Sequence, residues 1–147
     1  YYIIYTNNIN GTEIIKEKGL DSHFNFIGAF PSKEMPKFFF HSKALLVSLK
    51  KNKIFSLTIP AKVQSYLACG KPIIASLNGS GARIITDAKC GFVSPAENSK
   101  LLSRSIKELM YLDQSKLYKM GINAKEYYQK EFDREYLLER LEFIFDS

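Results

Sequence analysis

Short apolar runs alternate with segments whose apolar residues recur every three or four positions, and this alternation holds from Tyr1 to about Ser94. Tyr1-Tyr-Ile-Ile-Tyr-Thr6 is compact, apolar and β-branched, the pattern of a strand buried in a parallel sheet. A turn over Asn7–Gly11 leads to Thr12–Gly19, where Ile14 and Ile15 predict a short helix that stops at Gly19. Phe24–Gly28 reads as a second strand. Ser32 is expected to cap a helix running to about Phe40, with Met35, Phe38 and Phe39 at helical spacing. Ala44–Leu49 reads as a third strand. The stretch from Ile59 to Arg83 then reads helix, strand, glycine turn, helix. Pro60 suits a first helical position, where its missing N–H is no loss. Val63 and Leu67 mark the buried side, and Gly70 is a natural stop. Ile73–Leu77 is apolar and strand-like, Asn78-Gly79-Ser80-Gly81 is the turn, and a helix is expected from near Ala82 to Ala88. Gly91–Ser94 predicts the last strand.

Residues 97–147 change character. Leu101, Leu102, Ile106, Leu109 and Met110 repeat at helical spacing, as do Leu117, Met120, Ala124, Tyr127 and Tyr128. Leu137, Leu138, Leu141, Ile144 and Phe145 form a third set behind Asp133, its expected N-cap. These read as packing stripes without chemistry. Five alternations of strand and helix, with connections long enough only for crossovers, predict an α/β fold. Its sheet is expected to be doubly wound, mostly parallel and Rossmann-like, followed by C-terminal helices, with residues 1–147 forming one domain.

Charge sharpens this picture. The net charge is +6. Residues 1–96 carry 12 Lys/Arg against 5 Asp/Glu, and residues 97–147 carry 9 against 10. Between Lys37 and Asp87 there is no Asp or Glu at all, while Lys43, Lys50, Lys51, Lys53, Lys62, Lys71 and Arg83 fall in the same interval. Surfaces normally mix signs, so a one-sign segment around a glycine turn points to an electropositive cleft. No basic helix or base-stacking motif suggests nucleic acid, and phosphate on a small ligand is the simpler partner. Cys69 and Cys90 have no His near either and lack metal-site spacing, so no metal is expected; both read as reduced thiols of a cytosolic protein. No apolar run approaches about 18 residues, so no membrane span is expected, and no signal peptide is visible. A first residue that is Tyr and already reads as strand suggests a piece cut from something longer at its N-terminal side.

Two glycines between a strand and a helix let backbone N–H groups face an anion, where the helix dipole also favours negative charge. A Gly-x-Gly pair alone is equally a tight turn without a ligand. Ligands of such sheets sit beyond the carboxyl ends of the strands, where Lys50, the turn after Gly28 and Asn78–Gly81 all fall. On helix 60–69, Lys62, Ser65 and Cys69 share one side, so Lys62 reads either as a solvated lysine or as one aimed at the cleft. His23 and His41 read as surface or capping histidines. No nucleophile–base pair and no carboxylate pair lies near the turn, so the segment binds and polarises a phosphate but carries no general base.

Three strings carry a resemblance: Ile59-Pro-Ala-Lys-Val-Gln-Ser-Tyr-Leu-Ala-Cys-Gly-Lys-Pro-Ile-Ile, then Leu77-Asn-Gly-Ser-Gly-Ala-Arg, then Asp87-Ala-Lys-Cys-Gly91. Together with Phe26-Ile-Gly-Ala-Phe-Pro31, Glu34-Met-Pro36 and Ala44-Leu-Leu-Val-Ser-Leu-Lys50, they resemble the donor-binding half of family-4 glycosyltransferases, which have the GT-B fold. The branch they look most like is bacterial enzymes that add amino sugars, such as N-acetylfucosamine, in O-antigen or capsule assembly. The resemblance implies a retaining, metal-independent transferase with no cofactor and a nucleotide diphosphate sugar, UDP-linked, as donor. It places the base against Gly28, Ala29 and Phe30. It brings the glycine turn and the helix after it, Asn78, Gly79, Ser80, Gly81, Ala82 and Arg83, to the diphosphate and sugar; Lys50 at its strand end and Lys62 and Ser65 on one side of helix 60–69 complete the expected donor site on the reading of the residues given above. The lipid-linked glycan acceptor and the catalytic base then belong to an N-terminal domain, so this piece by itself is expected to be inactive. The full protein is expected in the cytoplasm or peripheral at the inner face of the cytoplasmic membrane.

Two departures stand out. Many relatives carry two glutamates eight positions apart before Gly-Lys-Pro, where this chain has Leu57 and Ser65, and the branch it looks most like lacks that pair as well. The branch commonly reads Asn-Gly-Glu-Gly, where this chain has Ser80. A non-catalytic nucleotide-sugar-binding domain and a sugar-nucleotide epimerase of the same architecture are the rivals, and the epimerase would need cleft carboxylates that residues 38–86 lack. Gly81 is expected to be glycine because the donor comes against its backbone.

Overall fold

The computed structural model describes residues 2–4, 9–28 and 30–146, and the chain divides into two compact units, Tyr1–Met35 and Pro36–Ser147. In the first unit, β1 (Tyr2–Ile4) pairs in parallel with β2 (Phe24–Phe26), joined through α1 (Ile9–Glu17). Gly19 follows α1 with φ of 61°, the left-handed conformation that glycine adopts without a Cβ penalty. The outer residues of the expected first strand, Tyr1, Tyr5 and Thr6, and Asn7 and Asn8 of the expected turn lie outside the described residues, while Ile9–Gly11, expected to complete that turn, already form the start of α1. A 3-10 turn over Ser32–Glu34 leads into α2 (Met35–His41).

The second unit holds β3 (Leu45–Ser48), β4 (Ile73–Ser76) and β5 (Gly91–Ser94), all parallel, with β4 in the middle. Helices α3 (Lys53–Leu57) and α4 (Ala61–Ala68) link β3 to β4, and α5 (Ser80–Asp87) links β4 to β5. Then come α6 (Ser99–Met110), α7 (Gln114–Glu131) and α8 (Arg134–Phe145). The expected α/β class with parallel strands is present, and among the described residues the strands form one sheet in each unit.

Every residue of β4 is buried, as a central parallel strand covered on both faces requires. Its pleat splits the core. Ile73 and Ala75 join Leu45, Val47, Val63, Leu67, Ile85 and Ala124 on one side, while Ile74 meets Leu109 and Leu117 on the other. Full burial of a side chain such as Leu67, Ile73 or Ile85 is worth about 1.5–3 kcal/mol. The edge strand β3 alternates instead: Leu45 and Val47 are buried while Leu46 is 50% exposed, so an unbroken apolar run has only one covered face. Gly70, at φ of 63°, ends α4 as expected. Gly121 lets α7 approach this turn, because a Cβ there would overlap the Gly70 carbonyl oxygen.

Four expectations are corrected. Pro60 is not the first helical residue: its ψ of 134° is extended, so it stands at the N-cap of α4 and the helix begins at Ala61. Helix α5 begins at Ser80 rather than near Ala82, which puts Gly81 inside the first turn. Helix α3 was not expected. Asn52 caps it by accepting from the Ile54 amide at 2.7 Å, but five residues with exposed Ile54, Phe55 and Leu57 leave no buried stripe to read. Finally, the third stripe is not core. Asp133 does cap α8, but Leu137, Leu138, Leu141, Ile144 and Phe145 are between 40% and 78% exposed.

Candidate functional site

Leu49-Lys50, Leu77–Gly81 and Pro95-Ala96 follow the carboxyl ends of β3, β4 and β5. The ladder itself extends into them, since Leu49 N donates to Ser76 O at 2.9 Å and Leu77 N to Ser94 O at 3.1 Å. Asn78 fixes the next step by accepting from the Ala96 amide through Oδ1 at 3.1 Å. Gly79 then turns the chain with φ of 77° and ψ of −142°, and a Cβ there would overlap the backbone of Ser56. The turn is therefore seated on α3, through a residue that the sequence pattern does not single out.

Helix α5 opens directly on this turn. Its first intrahelical bond runs from Arg83 N to Gly79 O at 3.0 Å, and the amides of Ser80, Gly81 and Ala82 precede it. Such first-turn amides have no acceptor within their own helix. Among the described residues no side chain caps them. The Gly81 Cβ position would lie 2.9 Å from Pro60 Cδ and 3.2 Å from Leu77 Cδ1. The N-cap of α4 thus touches the first turn of α5, and two positive helix ends converge beside the glycine turn.

The side chains expected at this site divide into three groups. Lys50, Lys62 and Arg83 are exposed, Lys62 in the first turn of α4 and Arg83 one residue beyond the free amides of α5. Ser65 is exposed too, but its hydroxyl bonds back to the Ala61 carbonyl at 3.1 Å. Ser80 and Ala82 are half-buried at the turn. Gly28 and Phe30 belong to the first unit, Gly28 with φ of 74°, and Ala29 lies outside the described residues. The reading of Gly81 is corrected. Its φ is not positive, as that reading expects, but it is buried and the space its Cβ would take is filled by Pro60 and Leu77. Packing of α5 against the start of α4 requires this glycine.

Other reactive groups sit elsewhere. Burial pushes the Cys90 thiol up to about 12, and its Sγ lies 3.6 Å from the Ile85 carbonyl. Burial also raises Cys69, only partly opposed by Lys71. Tyr66 is raised mainly by burial and donates to the Leu46 carbonyl at 3.3 Å. His23 is an exposed residue beside Ser22, and His41 is an exposed residue against Phe40. Among the described residues no group of His, Cys, Asp and Glu is arranged to hold a metal ion, and no helix is long and apolar enough to cross a membrane.

Solved structures to which the chain is similar include glycosyltransferases, and its fold is one Rossmann-like half of a GT-B fold. Anabaena HepE in complex with UDP superposes with a TM-score of 0.74 at 19% identity, over 90% of this chain and 36% of that one. S. aureus TarM, in complex with fondaparinux, α-GlcNAc-glycerol and UDP, gives 0.79 at 17% identity, over 99% of this chain and 29% of that one. The C-terminal domain of the group 1 glycosyl transferase LpcC from Francisella tularensis gives 0.67 at 22% identity, over 84% of this chain and 60% of that one. The chain thus spans less than two thirds of each. Among curated proteins none matches the sequence. The family model of the glycosyl transferases group 1 matches residues 10–127, and the chain belongs to that family.

Proposed function

We propose that this chain is the donor-binding half of a glycosyltransferase and that the donor's diphosphate lies where α4 and α5 begin. The observation that carries this reading is the contact of Pro60 with Gly81, which brings two helix N-termini together in a segment without a carboxylate from 38 to 86. In this reading the first-turn amides of α5 and the side chains of Lys62 and Arg83 take the phosphate oxygens. The HepE structures hold UDP and UDP-glucose, which supports a UDP-linked donor.

Transfer breaks the bond between the anomeric carbon and the diphosphate oxygen, the departing UDP keeping the electron pair, and forms a bond from that carbon to an acceptor hydroxyl oxygen, whose proton passes to a base. Fixed amides and cations aimed at that oxygen stabilise the charge as it develops. The acceptor and its base come from the part of the protein that this chain does not span. We assign retention of configuration, transfer without a metal, and a glycan or lipid-linked acceptor in O-antigen or capsule synthesis at the inner face of a bacterial membrane, the donor sugar being an amino sugar. A non-catalytic nucleotide-sugar-binding role is the second reading, favoured by Leu57 and Ser65 standing where many relatives carry glutamates.

A thermal-shift screen of UDP-, GDP- and dTDP-sugars tests binding. The expected result is a higher melting temperature with UDP-sugars and with UDP, and little with uridine. No shift with any nucleotide sugar at millimolar concentration would overturn the reading. Full-length protein that binds UDP-sugar but neither transfers nor hydrolyses it would favour the second.

A further inference from the structure

At the opposite, amino ends of β3 and β4 lies a cavity of about 310 Å³, between the residues entering those strands and one side of α7. Lysines from three elements line it: Lys43 before β3, Lys71 before β4 and Lys125 on α7. Gln114, Tyr118 and Cys69 stand among its other walls, and no carboxylate does. Among the described residues none of the three lysines is in an ion pair. Lys43 Nζ reaches the Met110 carbonyl at 3.5 Å, and Lys71 Nζ lies 5.3 Å from the centroid of the Phe40 ring, but neither partner is a counter-ion. The carboxyl ends of α4 and α6 lie beside these lysines and each offers roughly half a negative charge, so about two of the three positive charges stay unanswered. The nearby acids on α6 and α7 are engaged: Glu108 accepts from Arg104 at 2.8 Å, and Asp113 accepts from Ser115 Oγ at 2.7 Å and Lys116 N at 2.8 Å.

A cleft lined by one sign of charge concentrates ions of the other sign. Its volume separates the possible anions. Cavities that hold small organic ligands begin at about 300 Å³ and combine apolar or aromatic walls with a few polar groups. Inorganic phosphate would engage the lysines and leave Tyr118, Gln114 and most of the space unused. A sugar ring beyond the phosphate fills that space, with an apolar side against the Tyr118 ring and hydroxyls facing Gln114, which offers both a donor and an acceptor. We propose that this cavity binds a phosphorylated sugar, its phosphate held by Lys43, Lys71 and Lys125. Free hexose phosphates and nucleotides share that chemistry. The site is separate from the glycine turn: α4, eight residues and about 12 Å long, has its Pro60 end at the turn and its Cys69 end at the cavity.

Cys69 reports occupancy. It is half-buried and lines the cavity, whereas the other thiol, Cys90, is buried and pushed up to about 12. Alkylation of Cys69 by a maleimide, followed by intact mass, is expected to slow with millimolar glucose 6-phosphate or UMP. Glucose, and inorganic phosphate at the same ionic strength, should leave it unchanged. The arm that protects at the lower concentration names the source of the phosphorylated sugar. Lys125 is exposed, so Lys125→Glu should keep the melting temperature and raise the protecting concentration at least about tenfold. Lys43→Gln should raise it severalfold, which keeps the test decisive if the charge reversal disturbs α7. Absence of protection in the wild type, equal protection by inorganic phosphate, or protection that survives both lysine variants overturns the proposal. So does protection that is lost in Arg83→Ala, since it would then come from the donor site. The UDP-sugar thermal shift should be retained in Lys125→Glu. Lost protection with a retained shift therefore bears on this cavity alone, and a lost shift in the wild type bears on the donor site alone.

Discussion

The carboxamide oxygen of Asn78 and the backbone amide of Ala96 are hydrogen-bonded at 3.1 Å, which ties the turn after β4 to the loop after β5. Ala96 is buried, so its amide has little access to water if the bond is lost. Asn78→Ala should therefore cost about 1–3 kcal/mol, the penalty of an unsatisfied buried donor, read by denaturant unfolding. Asn78→Asp keeps an acceptor and should restore much of that stability. It also places a carboxylate in an acid-free turn, so its affinity for UDP should fall well below wild type.

Gly79 and Gly81 should both resist alanine, for different reasons. At Gly79 the backbone has φ of 77° and the new Cβ would meet the Ser56 backbone, so Gly79→Ala should cost at least about 1–2 kcal/mol and displace α3. At Gly81 the Cβ would crowd Pro60 Cδ from 2.9 Å, an overpacking worth about 1–3 kcal/mol. Gly81→Ala is expected to melt lower and to weaken UDP binding with it, because the contact it forces apart is the one that joins the two helix ends. Unchanged melting with lost affinity would return this glycine to the ligand.

Lys62 and Arg83 are exposed and contribute little to the core. Lys62→Ala and Arg83→Ala should each change stability by less than about 0.5 kcal/mol. Each should weaken UDP binding about tenfold or more while leaving uridine binding alone, because a charge-assisted phosphate contact is worth roughly 1.5–3 kcal/mol. Calorimetric titration of both variants checks this.

Hydrogen bonds from the Ser115 hydroxyl and the Lys116 amide hold the Asp113 carboxyl down from 3.8 to about 2. A carboxyl lowered on folding stabilises the native state above its unfolded value, and that contribution is lost as pH falls through the folded value. Asp113→Ala should therefore unfold more readily than wild type at neutral pH, through loss of the α7 cap. The difference should shrink as pH drops from about 4 to about 2. Denaturant melts at several pH values would show it, and a difference independent of pH would remove the carboxylate from the cap.

The sequence by itself determined the alternation of strands and helices, the parallel class, the stops at Gly19 and Gly70, the Asp133 cap and the acid-free basic segment. Each of these depends on local periodicity, on a backbone conformation that favours glycine, or on composition, all of which are visible without neighbours. What Gly79 and Gly81 are for was decided only in three dimensions, because Ser56 and Pro60 are distant in sequence yet fill the space beside them. The same holds for α3, too short to carry a stripe, and for α8, whose apolar residues stay exposed although their spacing matches that of buried helices. Periodicity states which side of a helix is apolar. Whether anything covers that side is a property of the packed molecule, as is the meeting of Pro60 with Gly81 that joins two helix ends into one anion-facing site.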